Sequence, residues 1–169
     1  MTLPYIEPED DLHLNLSIVL IVIQTLGVTN KGTLKINNER LHIFLYLLKN
    51  PMKLNNILIS LGKTSLTLSE QASFSITSIS PNVDTLYDRS ALKSILSILV
   101  ANNLLDVEFK SKDGFFYKLS EKGLTIAKKL REEYLLEIRL SCEKLKSILS
   151  LTESKLNQEL NKIIRKESA

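Results

Sequence analysis

The chain has 169 residues, enough for one compact domain with an appended piece. It is 44% hydrophobic with only five Gly and four Pro, which excludes a loop-dominated or disordered chain, and its one cysteine, Cys142, excludes an internal disulfide framework and fits a reducing compartment. The net charge of +3 is uneven: residues 1–109 hold 8 Lys/Arg against 10 Asp/Glu, and residues 110–169 hold 14 against 9.

The first fifteen residues carry Glu7, Glu9, Asp10 and Asp11, whereas the start of a secretory signal is basic, so a cytoplasmic protein is expected. Asp10 or Asp11 can cap a first helix, which should end near Gly27. Its middle, LSIVLIVI, is apolar on every side. That run is far shorter than the roughly 20 residues a membrane span needs, so a buried core helix is expected and no membrane contact. VTNKGTLKI then reads as a turn with one short strand. Asn37 or Asn38 caps a helix whose stripe is Leu41, Phe44, Leu45 and Leu48. Pro51 cannot continue that helix but suits the first position of another, with Asn50 before it; Leu54, Ile57, Leu58 and Leu61 form its face and Gly62 stops it.

Residues 64–80 are rich in Ser and Thr, which favour turns and caps over helix interiors. Asp84 is the expected cap of a helix to about Ala101, with Leu92, Ile95, Leu96 and Leu99 inside and Asn102-Asn103 at its end. LLDVEFKSKDGFFYKLS then alternates around an Asp-Gly pair, a strong hairpin signal because Gly tolerates positive φ. Strands are expected over 104–110 and 115–119, and Ser120 caps the helix that follows. Two strands with a tight tip, then a helix, outline the wing of a winged-helix domain.

One long helix is expected from about Glu121 to Leu149. Leu135, Ile138, Cys142, Leu145 and Leu149 are spaced 3-4-3-4 along it, a seam for a partner helix. Ser150-Leu151-Thr152-Glu153 has the capping-box pattern and opens a last helix striped by Leu156, Leu160, Ile163 and Ile164. The expected fold class is mainly α with a small β wing (α+β), a winged helix-turn-helix with long C-terminal helices. Residues 1–120 form the winged-helix domain with its N-terminal helix. Residues 121–169 form a C-terminal helical extension packing on it or on a partner.

Chemistry is sparse. Two histidines, His13 and His42, and one cysteine offer no metal-ligand spacing, and no cofactor is expected. Gly62-Lys63-Thr64 mimics the tail of a phosphate-binding loop, but Ile57 stands where its first glycine belongs, and the segment ends a helix instead of opening one. The reading is therefore not an enzyme. For a winged helix the next question is nucleic acid. On the helix 84–101, Asp84 and Asp88 offset Arg89 and Lys93, which weakens attraction to phosphate and favours protein docking. On the wing, Lys110, Lys112 and Lys118 could reach DNA or a partner. In the basic C-terminal third the signs alternate, so its charges read as solvating a helix.

NNERLHIFLYLLKNP, SPNVDTLYDRSALKSIL and KDGFFYKLSEKG together resemble the middle component of bacterial ABC three-component systems, over about Leu14 to Ile164. The resemblance marks Asp84, Leu86, Tyr87, Asp88 and Arg89, and the wing Asp113–Tyr117, as characteristic positions, and brings no catalytic residues. It implies a non-catalytic winged-helix subunit that bridges an SMC/Rad50-like ATPase and an effector nuclease in Lamassu-type anti-phage or anti-plasmid defence, with double-stranded DNA met through the complex. The alternative reading is a DNA-binding transcriptional regulator dimerising through its C-terminal helix.

Overall fold

The computed structural model describes residues 11–67 and 89–167. Helix α1 (Leu12–Leu26) begins where the Asp11 carboxylate accepts from the His13 and Leu14 N–H groups at 2.9 and 3.1 Å, two of the donors that a helix start leaves open. Ile18 to Ile23 are buried without interruption, which puts the whole circumference of α1 inside the core. Asn37 caps α2 (Asn38–Lys49), its side-chain oxygen accepting from Arg40 N–H at 3.0 Å. Asn50 and Pro51 turn the chain directly into α3 (Pro51–Ser60). That helix ends in a Schellman motif: Gly62 takes φ +65° and Lys63 N–H reaches the Leu58 carbonyl at 2.8 Å. The Ser/Thr-rich stretch and the expected start of the 84–101 helix lie outside the described residues.

Helix α4 (Arg89–Ala101) closes the same way as α3, with Asn103 at φ 58° and Leu104 N–H on the Leu99 carbonyl at 2.9 Å. It leads into the antiparallel hairpin of β1 (Leu105–Lys110) and β2 (Gly114–Leu119), paired from Leu105↔Leu119 to Lys110↔Gly114. Gly114 has φ +79°, so the Asp-Gly signal falls where the turn needs a residue without Cβ. The short strand expected before α2 is reduced to two isolated bridges, Val28↔Leu34 within the turn and Asn37↔Phe116 to the wing, with Tyr117 N–H on the Ile36 carbonyl at 3.0 Å. Helix α5 (Glu121–Lys129) starts at Ser120, whose hydroxyl accepts from Gly123 N–H at 3.0 Å. Helix α6 (Glu133–Leu145), a 3-10 turn (Lys146–Ile148) and α7 (Glu153–Glu167) complete the chain. Among the described residues the fold is mostly helical with one two-stranded antiparallel sheet, an α+β arrangement consistent with a winged-helix-like fold.

Three local expectations change. The single helix from Glu121 to Leu149 is broken: Leu130 adopts φ −77° and ψ 97°, an extended conformation. The half-buried Arg139 guanidinium donates to the carbonyls of Ala127 and Leu130, so groups left open at the end of α5 find a partner one helix further on. Second, the cap of α7 is Thr152 rather than Ser150; its hydroxyl accepts from Lys155 N–H at 3.2 Å. Glu153 turns away from the capping box and accepts from the Asn37 side chain instead. Third, extended alternation places Lys110 and Lys112 on the same side of their strand, whereas in the structure Lys112 lies in the turn beyond β1 and shares no strand face with Lys110.

One core runs through the described chain, from Ile18 on α1 to Ile163 on α7. Helix α1 is its hub, packed by α2, α4, α5, α6 and β2. Arg40, half-buried, clamps the turn between α6 and α7 through the carbonyls of Leu149 (2.9 Å) and Leu151. Its burial lowers the Arg40 pKa, an effect that nearby Glu153 opposes.

Candidate interaction surfaces

Among the described residues no three His, Cys, Asp or Glu side chains are grouped to hold a metal ion, and no helix is long and apolar enough to cross a membrane. His13 is exposed on the first turn of α1, and His42 is buried on α2. Cys142 is fully buried; removal from water, with Glu143 adding to it, pushes its thiol up to about 12, far from a reactive thiolate. The seam Leu135, Ile138, Cys142 and Leu145 is buried, with Leu149 half-buried, and α6 lies against α1. These side chains meet a helix of their own chain. The partner helix of this stripe is thus α1, and the C-terminal extension packs on the rest of the chain.

Helix α4 presents Arg89, Lys93, Ser94 and Ser97 to solvent, as the apolar spacing of its other face requires. Arg89 makes a two-pronged ion pair with Glu39 at the start of α2. The Arg89 hydrogen bond holds the Glu39 carboxyl below its usual range and the Arg89 guanidinium above its own. Lys93 is then the one described charge on this face without a carboxylate partner, too little to draw a polyanion. Asp84 and Asp88 lie outside the described residues.

The wing has two unlike faces, fixed by the register and the two-residue period of strands. One carries Asp106, Glu108, Lys110, Phe116 and Lys118. Here Asp106 stands opposite Lys118, Glu108 opposite Phe116, and the Lys110 ammonium sits 4.4 Å from the centre of the Phe116 ring. Lys110 and Lys118 share this face with two carboxylates, and Asp113 stands beside Lys112 in the turn, so the three lysines form no uniform cationic patch. The other face carries Leu105, Val107, Phe109, Phe115, Tyr117 and Leu119. Its base is core: Leu105 and Tyr117 are buried, and the Tyr117 hydroxyl donates to the Asn38 side chain at 2.7 Å. Burial raises the Tyr117 pKa. Its outer end is open, with Val107 42%, Phe109 64% and Phe115 47% exposed, and the two rings tilted together at a centroid distance of 5.1 Å.

This aromatic end is the feature that a search for charge passes over. Its signal lies in the same alternation that predicts the hairpin. Val107, Phe109 and, across the turn, Phe115 share one parity, and the strand is too long for all of it to sit on the core. Holding two phenyl rings in water is unfavourable, and clustered exposed apolar side chains of this kind make the wing tip a candidate interaction site. The wing is also held firmly. Asn37 donates to the Asp113 carbonyl at 3.3 Å, tying the turn to the start of α2, so the rings are presented on a fixed platform.

Residues 26–158, well over half of the chain, match a family model described as ABC-three component (ABC-3C) system Middle Component 4. Comparison with curated proteins and with solved structures returned no match.

Proposed function

The chain belongs to the ABC three-component Middle Component 4 family, and we propose that it serves there as a non-catalytic, cytoplasmic adaptor that bridges an SMC/Rad50-like ATPase and an effector nuclease in an anti-phage or anti-plasmid complex. Family membership supplies the multi-component setting and its place in a defence system. The observation that carries the adaptor reading is the exposed aromatic end of the wing, Val107, Phe109 and Phe115. Aromatic side chains dominate protein interfaces because each removes a large, rigid apolar area from water. In this reading the wing tip inserts into an apolar depression of one partner subunit. In this reading Lys110, Lys112 and Lys118 form the polar rim of that contact, and the exposed Arg89 and Lys93 of α4 offer a second, polar contact.

Co-expression with the genes encoded beside it, followed by affinity purification, tests the reading. Both neighbours should co-purify, and the double change Phe109→Ser with Phe115→Ser should release one of them while the variant keeps its thermal unfolding midpoint. Each ring that inserts contributes about 1.5–3 kcal/mol, so losing two weakens the contact by a hundredfold or more. If neither neighbour co-purifies at any salt concentration, the adaptor reading fails. A stand-alone regulator dimerising through the 135–149 seam is less well supported, because that seam is already filled by α1.

A further inference from the structure

The two strands of the wing differ in their neighbours. β2 lies between β1 and the segment before α2, where Tyr117 N–H meets the Ile36 carbonyl at 3.0 Å. Among the described residues β1 pairs with β2 alone. The register tells where its remaining backbone groups point, because bonded and non-bonded pairs alternate along an antiparallel ladder. Ser120 N–H bonds the Leu104 carbonyl, and Tyr117 N–H points away from β1. Asp106, Glu108 and Lys110 therefore bond to β2, while Val107 and Phe109 turn their N–H and C=O groups to the outer edge. Residues Asp106, Val107, Glu108 and Phe109 are exposed one after another, on both faces of the strand, whereas β2 buries Phe116 and Tyr117. No described element covers this edge. Natural sheets blunt an open edge with a proline, a bulge or an inward-pointing charge. LDVEFK carries no proline, keeps an unbroken register and sets its charges on the face away from the core.

We propose that the outer edge of β1 takes an extended strand of a partner subunit, one in which apolar residues alternate with Lys or Arg. The proposal rests on the adaptor reading and names the mode of its contact. Such a strand bonds backbone to backbone with Val107 and Phe109 and continues the sheet. Its residues on the face of Val107, Phe109 and Phe115 are apolar and lie beside the rings. Those opposite Asp106 and Glu108 are basic. Neither carboxylate has an ion-pair partner among the described residues, and opposite charges directly across a strand pair attract. Lys118 stands one strand further in, and Lys110 lies at the turn end over the Phe116 ring. A second copy of this chain fits the edge poorly. Antiparallel pairing about Val107 sets Asp106 against Glu108 twice, and pairing about Glu108 sets that carboxylate against itself. Pairing about Phe109 runs into the turn at Ser111 one residue beyond Lys110.

Amide hydrogen exchange, compared between the isolated chain and its complex with the subunits encoded beside it, tests the proposal. In the complex the Val107 and Phe109 amides should exchange at least about tenfold more slowly, and the Glu108 amide, already bonded within the hairpin, should change little. Val107→Pro deletes one edge donor without removing a bond to β2. It should weaken binding of the purified neighbour by about 3- to 10-fold in titration calorimetry. Glu108→Lys should weaken it by about fivefold, and carries the test should the proline variant misfold. Full affinity in both variants would overturn the proposal. So would Val107 and Phe109 amides that stay fast in a complex which Phe109→Ser with Phe115→Ser dissociates; the rings would then dock without an added strand, and the adaptor reading would stand alone. Exchange at these amides that slows in the isolated chain as its concentration rises would give the edge to a second copy instead. If no neighbour co-purifies, both readings fail together.

Discussion

Gly123 lies inside α5, where helix propensity alone predicts that Gly123→Ala stabilises by about 1 kcal/mol. Its surroundings predict the reverse. A Cβ at this position would stand 2.0 Å from the Leu104 carbonyl oxygen, where real Cβ atoms keep at least 3.0 Å, so the backbone must yield by about 1 Å. That oxygen is not free to yield. It accepts from Ser120 N–H at 3.1 Å, the bond that closes the base of the wing where the hairpin enters α5. Overpacking of this kind costs about 1–3 kcal/mol, and a weakened hydrogen bond adds about 1 kcal/mol. Set against the propensity gain, the net loss is about 1–3 kcal/mol. For a chain of this size each kcal/mol moves the midpoint by about 2–4 °C, so Gly123→Ala should melt about 3–10 °C below the parent. Thermal and urea unfolding by circular dichroism would measure it, with the exposed Lys128→Ala as a control expected to move stability by less than about 0.5 kcal/mol. Amide exchange at Ser120 should also accelerate. An unchanged or higher midpoint for Gly123→Ala would refute the close-approach argument and leave propensity as the better guide.

Cys142 should resist a thiol reagent such as DTNB in the folded chain at pH 8 and react stoichiometrically in denaturant; rapid native labelling would show that α1 does not cover the seam. Arg139→Met should lose about 1–3 kcal/mol through the carbonyls it leaves without a donor, with faster amide exchange confined at first to the α5–α6 break; a stability equal to the parent would mean that the break is set by something else. Glu159→Gln tests the pH dependence. The folded Glu159 carboxyl lies below its unfolded value of about 4.3 because two lysines flank it. Its contribution is therefore present above that pH and is lost as pH falls through the depressed folded value. The parent should lose stability from about pH 5 downward, and Glu159→Gln should lose less over the same interval; Glu39, depressed by Arg89 with the same sign, remains in both proteins. Parallel acid curves for the two would remove Glu159 from the account.

Much of this protein is written locally. Asp11, Asn37 and Ser120 cap helices because a short polar side chain can reach back to open N–H groups of the next turn, a matter of three or four residues. Gly62, Asn103 and Gly114 sit where the chain takes positive φ, and Pro51 where a helix begins, all preferences of single residues. The buried faces of α3 and α4 follow from spacing, and the continuous run Ile18–Ile23 foretold a helix with core on every side, whereas α2 is buried well beyond its stripe, with Ile43, Tyr46 and Leu47 inside and Leu45 only half-buried. Asp113-Gly114 set the hairpin and, through strand alternation, fixed which side chains share each face of the wing.

What the tertiary structure decided depends on partners far away along the chain. No Gly or Pro marks the break at 130–132; Arg139 makes it stable by meeting the carbonyls that α5 leaves open. The 135–145 seam looks from its spacing like an invitation to another molecule, and only the position of α1, more than a hundred residues earlier, fills it from within. Alternation told that Val107, Phe109 and Phe115 lie together but not that the core stops short of them and leaves them in water. In the same way the alternating charges of α7 did not tell that Glu153 would meet Asn37 or that Glu159 would lie buried beside Ser60 of α3. Caps, turns and periodicity are properties of neighbouring residues, whereas exposure and charge pattern belong to surfaces that exist only once distant segments have met.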